Sequence, residues 1–354
     1  MRGLATILTL AVITTGAWGQ GEAPKPTEQA MGAGQQQVSG TDVQLRGISA
    51  VSDKVAWASG ARGTVLRTVN GGATWEKASV ADADDLDFRD VQAFDQNTAY
   101  VLSIGPGDAS RIYKTTDGGR IWQRQFTNKD AKAFYDCFAF WDSTHGIAVS
   151  DSVDGKFPLI ATADGVTWQP VAVKSMPAAL PNAGAFAASG TCIATFAKNK
   201  VWFSTGGPAA RVFHSADRGQ NWTVAETPIV HGAATQGVFS TVFWTAKDGI
   251  AVGGDYKEPT KAEKTAAITH DGGKSWTLAV TPPAGYRSAV AAAGSRTPLW
   301  VAVGTSGCDT SSDGGKTWQH LSADDLNAVS LHGKSGWAVG PAGKIVAIHL
   351  DSHR

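Results

Sequence analysis

The sequence predicts an all-β protein: one seven-bladed β-propeller whose ring is closed by an N-terminal strand joining the last blade. Two observations predict this. One short turn motif occurs six times at blade-length spacing, and one strand type recurs seven times. The composition agrees, because 354 residues contain 41 Gly and 13 Trp but only 18% charged residues, which suits short strands and tight turns. Lys+Arg and Asp+Glu number 31 each, so no protein-wide field draws nucleic acid or an anionic membrane.

The chain opens as an export signal. Met1 and Arg2 precede an apolar run from Leu4 to Ile13, and the small residues Ala17 and Gly19 follow. This predicts a signal peptide over 1–19, too short for a membrane span of about 20 apolar residues. Its removal deletes Arg2 alone and leaves 30 basic against 31 acidic residues, a net charge of −1. The mature chain is expected in the periplasm or secreted, as a monomer without a transmembrane span. Residues 20–35, rich in Pro, Gly and Gln, read as a flexible linker, and 36–350 as the propeller. Three cysteines, Cys137, Cys192 and Cys308, form no disulfide framework. They are either buried small hydrophobes or include one bridge, Cys137 to Cys192, between neighbouring repeats.

The repeated motif is a box: TVNGGATW, TTDGGRIW, TADGVTW, SADRGQNW, THDGGKSW and SSDGGKTW. Its acidic or amide position falls at Asn70, Asp117, Asp164, Asp217, Asp271 and Asp313, separated by 47, 47, 53, 54 and 42 residues. That spacing fits blades of four strands. An Asp side chain accepts N–H bonds within its own turn, and the following Gly tolerates positive φ. The box-ending Trp75, Trp122, Trp168, Trp222, Trp276 and Trp318 fold back over the turns. Asp-Gly between β runs marks a hairpin. The Asn in one copy and the shortening of another point to a structural role, not a metal site.

First strands recur at LRGISAV (45–51), FRDVQAF (88–94), FYDCFAF (134–140), TCIATFA (191–197), FSTVFW (239–244), YRSAVAA (286–292) and LNAVSLH (326–332). The seventh repeat continues through GWAVG (336–340) and KIVAIHL (344–350) and lacks a fourth strand, which QQVSGTD (36–42) can supply. Closure of this kind removes exposed strand edges. The other tryptophans also fall on repeat positions, except Trp18 in the signal, so no aromatic cluster remains for stacking bases.

The boxes resemble those of the Asp-box, or bacterial neuraminidase repeat, family. With LRGIS, FRDVQAF and the box ending GG-x-[ST]-W, residues 36–350 resemble the photosystem II assembly and stability factor family of seven-bladed propellers. That resemblance implies a non-catalytic lumenal or periplasmic platform that holds a membrane-protein subunit during assembly, with no cofactor. Long hairpins at 150–158 and 254–265 depart from the family pattern.

In a propeller the first strands line the central channel. The early position of each gives Arg46, Arg89, Tyr135, Ser189 or Thr191, Ser240, Arg287 and Asn327. Arg46, Arg89 and Arg287 are expected to converge around the axis as an anion-seeking contact surface for a protein partner or anionic ligand. The other reading pairs them with Asp90 and Asp136 and plugs the channel. An arginine triad is also similar to that of sialidases, which makes an exo-acting glycoside hydrolase the alternative. Tyr135, Asp136 and Asp90 would then supply the chemistry. Against it, the only glutamates past the linker are Glu76, Glu226, Glu258 and Glu263, none placed beside Tyr135, and the Arg-Ile-Pro signature is absent. HGKS (332–335) lacks the Gly of a phosphate loop, having Ala328 there. DSVDGK (151–156), with Asp151 and Asp154, is too sparse in oxygens for a calcium loop and reads as a solvated hairpin. Lys257, Glu258, Lys261, Glu263 and Lys264 make a mixed-charge hairpin tip.

Overall fold

The computed structural model describes residues 34–78, 80–294 and 298–350. The expected signal peptide and residues 20–33 of the expected linker lie outside them. The described chain forms seven four-stranded antiparallel sheets, and its one helical turn among these residues is Gly107–Ala109. The inner strands are Leu45–Ala50, Asp87–Ala93, Tyr135–Asp142, Ile193–Phe196, Gln236–Phe243, Ala289–Ala293 and Ala328–His332, in blades 1 to 7. Each lies against the next around the ring, and that of blade 7 lies against that of blade 1.

Blade 7 takes its outer strand from the start of the chain. Gln36–Gln37 pairs antiparallel with Ile345–His349, Gln36 opposite Val346 and Gln37 opposite Ile345. The Gln37 side chain then fastens blade 7 to blade 1. Its Oε1 accepts the indole N–H of Trp75 (2.9 Å) and of Trp337 (3.0 Å), and its Nε2 donates to the Gly71 carbonyl (3.0 Å). The two indoles meet edge-on, 6.2 Å apart. Gly72, at φ +83°, leaves the space: a Cβ there would lie 1.8 Å from the amide of Gln37.

The box turns follow one local bonding scheme. The leading Ser or Thr hydroxyl accepts a turn-glycine N–H, as in Gly119 to Thr115 (3.0 Å), Gly219 to Ser215 (2.9 Å) and Gly315 to Ser311 (3.0 Å). The acidic Oδ1 accepts the N–H just before the Trp: Ile121 (3.0 Å), Thr167 (2.8 Å), Asn221 (2.9 Å), Ser275 (3.0 Å) and Thr317 (3.0 Å). Asn70 does the same for Thr74 at 3.0 Å. Hydrogen bonds to the ionised form lower a carboxyl pKa: the Ser275 hydroxyl (2.6 Å) and then its N–H hold Asp271 at about 2, and the Thr167 N–H and hydroxyl hold Asp164 below its ordinary range.

The tryptophans join blades. Trp57 donates to the Asp95 carbonyl (3.1 Å), Trp141 to Lys200 (2.8 Å) and Trp202 to Gly272 (2.9 Å), each on the next blade. Trp122 and Trp168 reach back to Ala78 and Gln125. These five indoles thus keep a polar partner while filling the space between blades, whereas the buried N–H groups of Trp276 and Trp300 have none among the described residues.

Near the axis, polar side chains link every pair of neighbouring inner strands. Ser49 accepts the Ala93 N–H (3.0 Å), Asp90 the Phe138 N–H (2.8 Å), and Thr195 donates to the Phe140 carbonyl (2.7 Å). Thr191 and Ser240 share a bond of 2.7 Å, and Ser240 accepts the Val290 N–H (3.1 Å). Ser288 donates to the Asn327 carbonyl (2.6 Å), Asn327 to Leu45 (2.8 Å), and Ser330 accepts the Ala50 N–H (3.0 Å). Between blades 3 and 4 a disulfide adds to this belt, joining Cys137 to Cys192 with Cα atoms 6.2 Å apart. The reading of these two residues as plain small hydrophobes is thereby corrected, because strands of adjacent blades bring them to bonding distance. Cys308 stays free and buried, its thiol pushed up to about 12 by burial.

Two outcomes test the closure. Gln37→Ala strands two indole N–H groups and should lower stability by about 2 kcal/mol, read as a drop of a few degrees in thermal denaturation. Replacing both Cys137 and Cys192 by Ala frees a loop with a separation of 55 residues and should cost about 4 kcal/mol by the chain-entropy model. Adding reductant to the wild type should reproduce that loss.

Candidate functional site

The inner strands begin at one face of the ring, and the loops between second and third strands lie on that face too. The same irregularity occurs near the start of four of them. Leu45 pairs with Gly60 but Gly47 with Ser59, Phe88 with Ser103 but Asp90 with Leu102. Likewise Tyr135 pairs with Ser150 but Cys137 with Val149, and Val238 with Gly253 but Ser240 with Val252. The extra residues are Arg46, Arg89, Asp136 and Phe239. A bulge leaves one residue out of the ladder and re-aims its side chain, here towards the mouth.

Arg46 and Arg89 are neighbours at this mouth. Burial, then the like charge of Arg89, lower the Arg46 pKa. Arg89 has an ion pair with Asp87 at 2.8 Å, whereas Arg46 bonds no carboxylate among the described residues and its Nε is buried without a partner there. Both guanidinium groups donate to main-chain carbonyls, Arg46 to Ala188 (3.2 Å) and Arg89 to Ala187 (3.1 Å).

Those carbonyls belong to residues 183–190, a segment without regular structure that crosses the mouth ahead of blade 4. Ser189 reaches the Ser288 carbonyl of blade 6 (2.8 Å), and Phe186 stacks on Phe239 of blade 5 at 3.8 Å. Beneath it a cavity of about 260 Å³ follows the axis, lined by Asp90, Thr191, Thr241 and Ser330 among others. The channel mouth is therefore plugged, but by a chain segment and not by arginine–aspartate pairs.

Arg287 does not join the other two arginines. Its N–H donates to the Gly253 carbonyl of the preceding blade, as the Leu45 N–H does to Gly340. It thus occupies the inward-packed position of Leu45, one residue before that of Arg46. Ser288, whose N–H bonds Val303 as the Asn327 N–H bonds Val339, stands at the position of Asn327 and is likewise a buried link of the polar belt. Arg287 is fully buried and ion-paired with Asp309 inside blade 6. It also donates to Ser306 (3.0 Å), whose hydroxyl donates to the Pro259 carbonyl (2.6 Å), so it anchors the 254–265 hairpin. At the hairpin tip Lys261 pairs with Glu258 at 3.2 Å. Asn327 is a buried strut of the polar belt, not a ligand-facing group.

The residues offered for glycoside hydrolysis separate as well. Tyr135 is buried in the core between blades 2 and 3, edge-on to Phe126 at 5.3 Å, and burial pushes its hydroxyl up to about 12. Asp90 receives the Phe138 N–H, and burial holds its pKa well above the ordinary value. Asp136 faces Asp151, and the proximity of the two was not legible from the sequence. Burial, then the charge of Asp151, raise the Asp136 carboxyl; burial raises Asp151 to about 6. The backbone amides of Ala187 and Ala185 and the charge of Arg89 act against these shifts. The 151–156 loop is thus only half solvated: Asp154 meets Lys132 at 3.1 Å in the open, while Asp151 turns inward. A larger groove of about 840 Å³ lies apart from these arginines, against Asn128, Tyr135, Lys156 and Met176. No group of three or more potential metal ligands exists among the described residues, and no helix among them is long and apolar enough to cross a membrane.

No protein-family model and no curated protein matches the chain. Solved structures do. YCF48 bound to D1 peptide superposes with a TM-score of 0.64 at 14% identity, covering 91% of this chain and 98% of that one. YCF48 from Cyanidioschyzon merolae gives 0.63 at 18% identity, with 90% and 99% covered. A structure of U3-55K gives 0.62 at 10% identity, with 90% and 98% covered. At such identities the likeness establishes the seven-bladed fold. Near-equal scores for differently named proteins leave function to the site.

The acid pair sets a pH dependence. Asp151 has a folded pKa of about 6 against an ordinary 3.8, so the native state holds its proton more tightly than the unfolded one. Its stabilising contribution is complete below the ordinary value and is lost as pH rises through the folded one. The box aspartates, with lowered values, act oppositely and only at lower pH. Asp151→Asn should therefore raise the melting temperature by a few degrees at pH 7, change it little at pH 4, and flatten the profile between.

Proposed function

We infer that the protein is an exported, monomeric, non-catalytic platform. It holds an acidic or chain-terminal segment of a membrane or periplasmic protein at the mouth through Arg46 and Arg89. The observation that carries this reading is the pair of guanidinium groups on adjacent bulges, one of them bonding no carboxylate. Two like charges held together favour an anion between them, and planar guanidinium forks match carboxylate geometry. Both groups already donate to peptide carbonyls, so the mouth is shaped to main chain. YCF48 bound to D1 peptide supports the reading, since a chain of similar fold there carries a peptide. The hydrolase alternative has no comparable support, because Tyr135, Asp90 and Asp136 turn to different surroundings.

The test is capture from detergent extracts of the native membrane, with wild type and an Arg46→Ala, Arg89→Ala double variant of equal heat stability. A membrane protein held by the wild type should fall about tenfold or more with the variant, and capture should weaken with salt as exposed charges are screened. Equal capture by both would remove the arginines from the contact.

A further inference from the structure

The segment that closes the mouth is held chiefly through its own backbone. The Ala183 carbonyl accepts from Ser152 (2.7 Å), that of Gly184 from the Gly206 N–H (2.9 Å), that of Ala187 from Arg89 and that of Ala188 from Arg46. Residues 183–190 read AGAFAASG; the alanines pack into the surrounding core, Ala188 in one cluster with Phe239 and Tyr286, and the side chains with a polar or stacking partner of their own are Ser189 and Phe186. The Phe186 ring lies parallel to that of Phe239, 3.8 Å away, and Phe239 meets Tyr286 edge-on at 4.8 Å. The seat is cut to the ring by glycines: a Cβ at Gly206 would lie 2.4 Å from the Phe186 ring, and one at Gly237 would lie 3.2 Å from it. The segment is bolted at one foot, where Cys192 joins Cys137. Gly190, at φ +76°, gives a pivot beside that foot.

Four carbonyl contacts and one aromatic seat define a site that reads peptide backbone plus a single ring. We propose that the Phe239–Tyr286–Gly206 seat is a binding site for an aromatic side chain of an extended partner segment, and that residues 183–190 are its built-in competitor. This rests on the mouth being a protein-binding surface and specifies what the partner presents there: a phenylalanine-like ring followed, one and two residues on, by carbonyls for Arg89 and Arg46. Binding then requires the tethered segment to swing away, so partner affinity is set by the difference between two occupants of one seat.

The experiment uses the mature full chain and two labelled peptides, AGAFAASG and the same peptide with alanine for phenylalanine, followed by fluorescence anisotropy. F186A empties the seat and should bind the first peptide about tenfold more tightly than wild type, a gain of ~1.4 kcal/mol, with no gain for the second. Phe239→Ala introduced into F186A should abolish that gain. If F186A does not fold, Phe186→Leu should give a smaller gain of the same sign. Equal affinity of wild type and F186A, or equal gains for both peptides, would overturn the proposal. If membrane-protein capture still depends on Arg46 and Arg89 in that case, the platform reading survives and the aromatic seat alone falls. If capture is also absent, both fall.

Discussion

The constraint on which the structure depends is closure of the ring by polar side chains on the inner strands. Each blade is a twisted sheet with one edge towards the axis, and such edges carry backbone groups needing partners. Ser49, Asp90, Thr195, Ser240, Ser288, Asn327 and Ser330 each reach a neighbouring blade's main chain. One such bond is worth about 1 kcal/mol net. Together they make the axis a continuous hydrogen-bonded belt, so that no blade can shift without breaking two sets. Gln37, between Trp75 and Trp337, does at the rim what the belt does at the axis.

The belt also explains why function gathers at one face. Positions within it are committed to neighbours, and Asp90 and Asn327 are spent there. The residue freed by each bulge is not. In blades 1, 2, 3 and 5 that residue is Arg46, Arg89, Asp136 and Phe239: two cations, an acid and an aromatic around one opening. A repeated backbone irregularity thus produces a chemically varied site on a uniform scaffold, much as loops do on other folds.

The site carries its own tension. Asp136 and Asp151 face each other, each with one buried oxygen that lacks a partner among the described residues, and Arg46 stands beside Arg89 without a carboxylate of its own there. Like charges held close raise the free energy of the closed state. The segment 183–190 relieves part of this, offering carbonyls to the arginines and amides to the acids. A peptide main chain carries both donors and acceptors, which links the plug and the proposed partner through the same chemistry.

The sequence determined the blades. Box turns close through bonds spanning two to four residues, as between Thr115, Asp117 and Ile121, so they are written locally and read locally. The seven inner strands, and the N-terminal segment that pairs with the last blade, followed from counting repeats. The mouth was decided by tertiary structure. A bulge slips the register by one residue, so Asp136 and Phe239, not Tyr135 and Ser240, face the opening, and Arg287, in the slot of Leu45, is buried against Asp309. Periodicity of two cannot reveal where one residue is inserted. The plug was equally hidden, because Arg46 and Arg89 meet it across 142 and 98 residues of chain, and a run of Ala, Gly and Ser carries no pattern that names its partner.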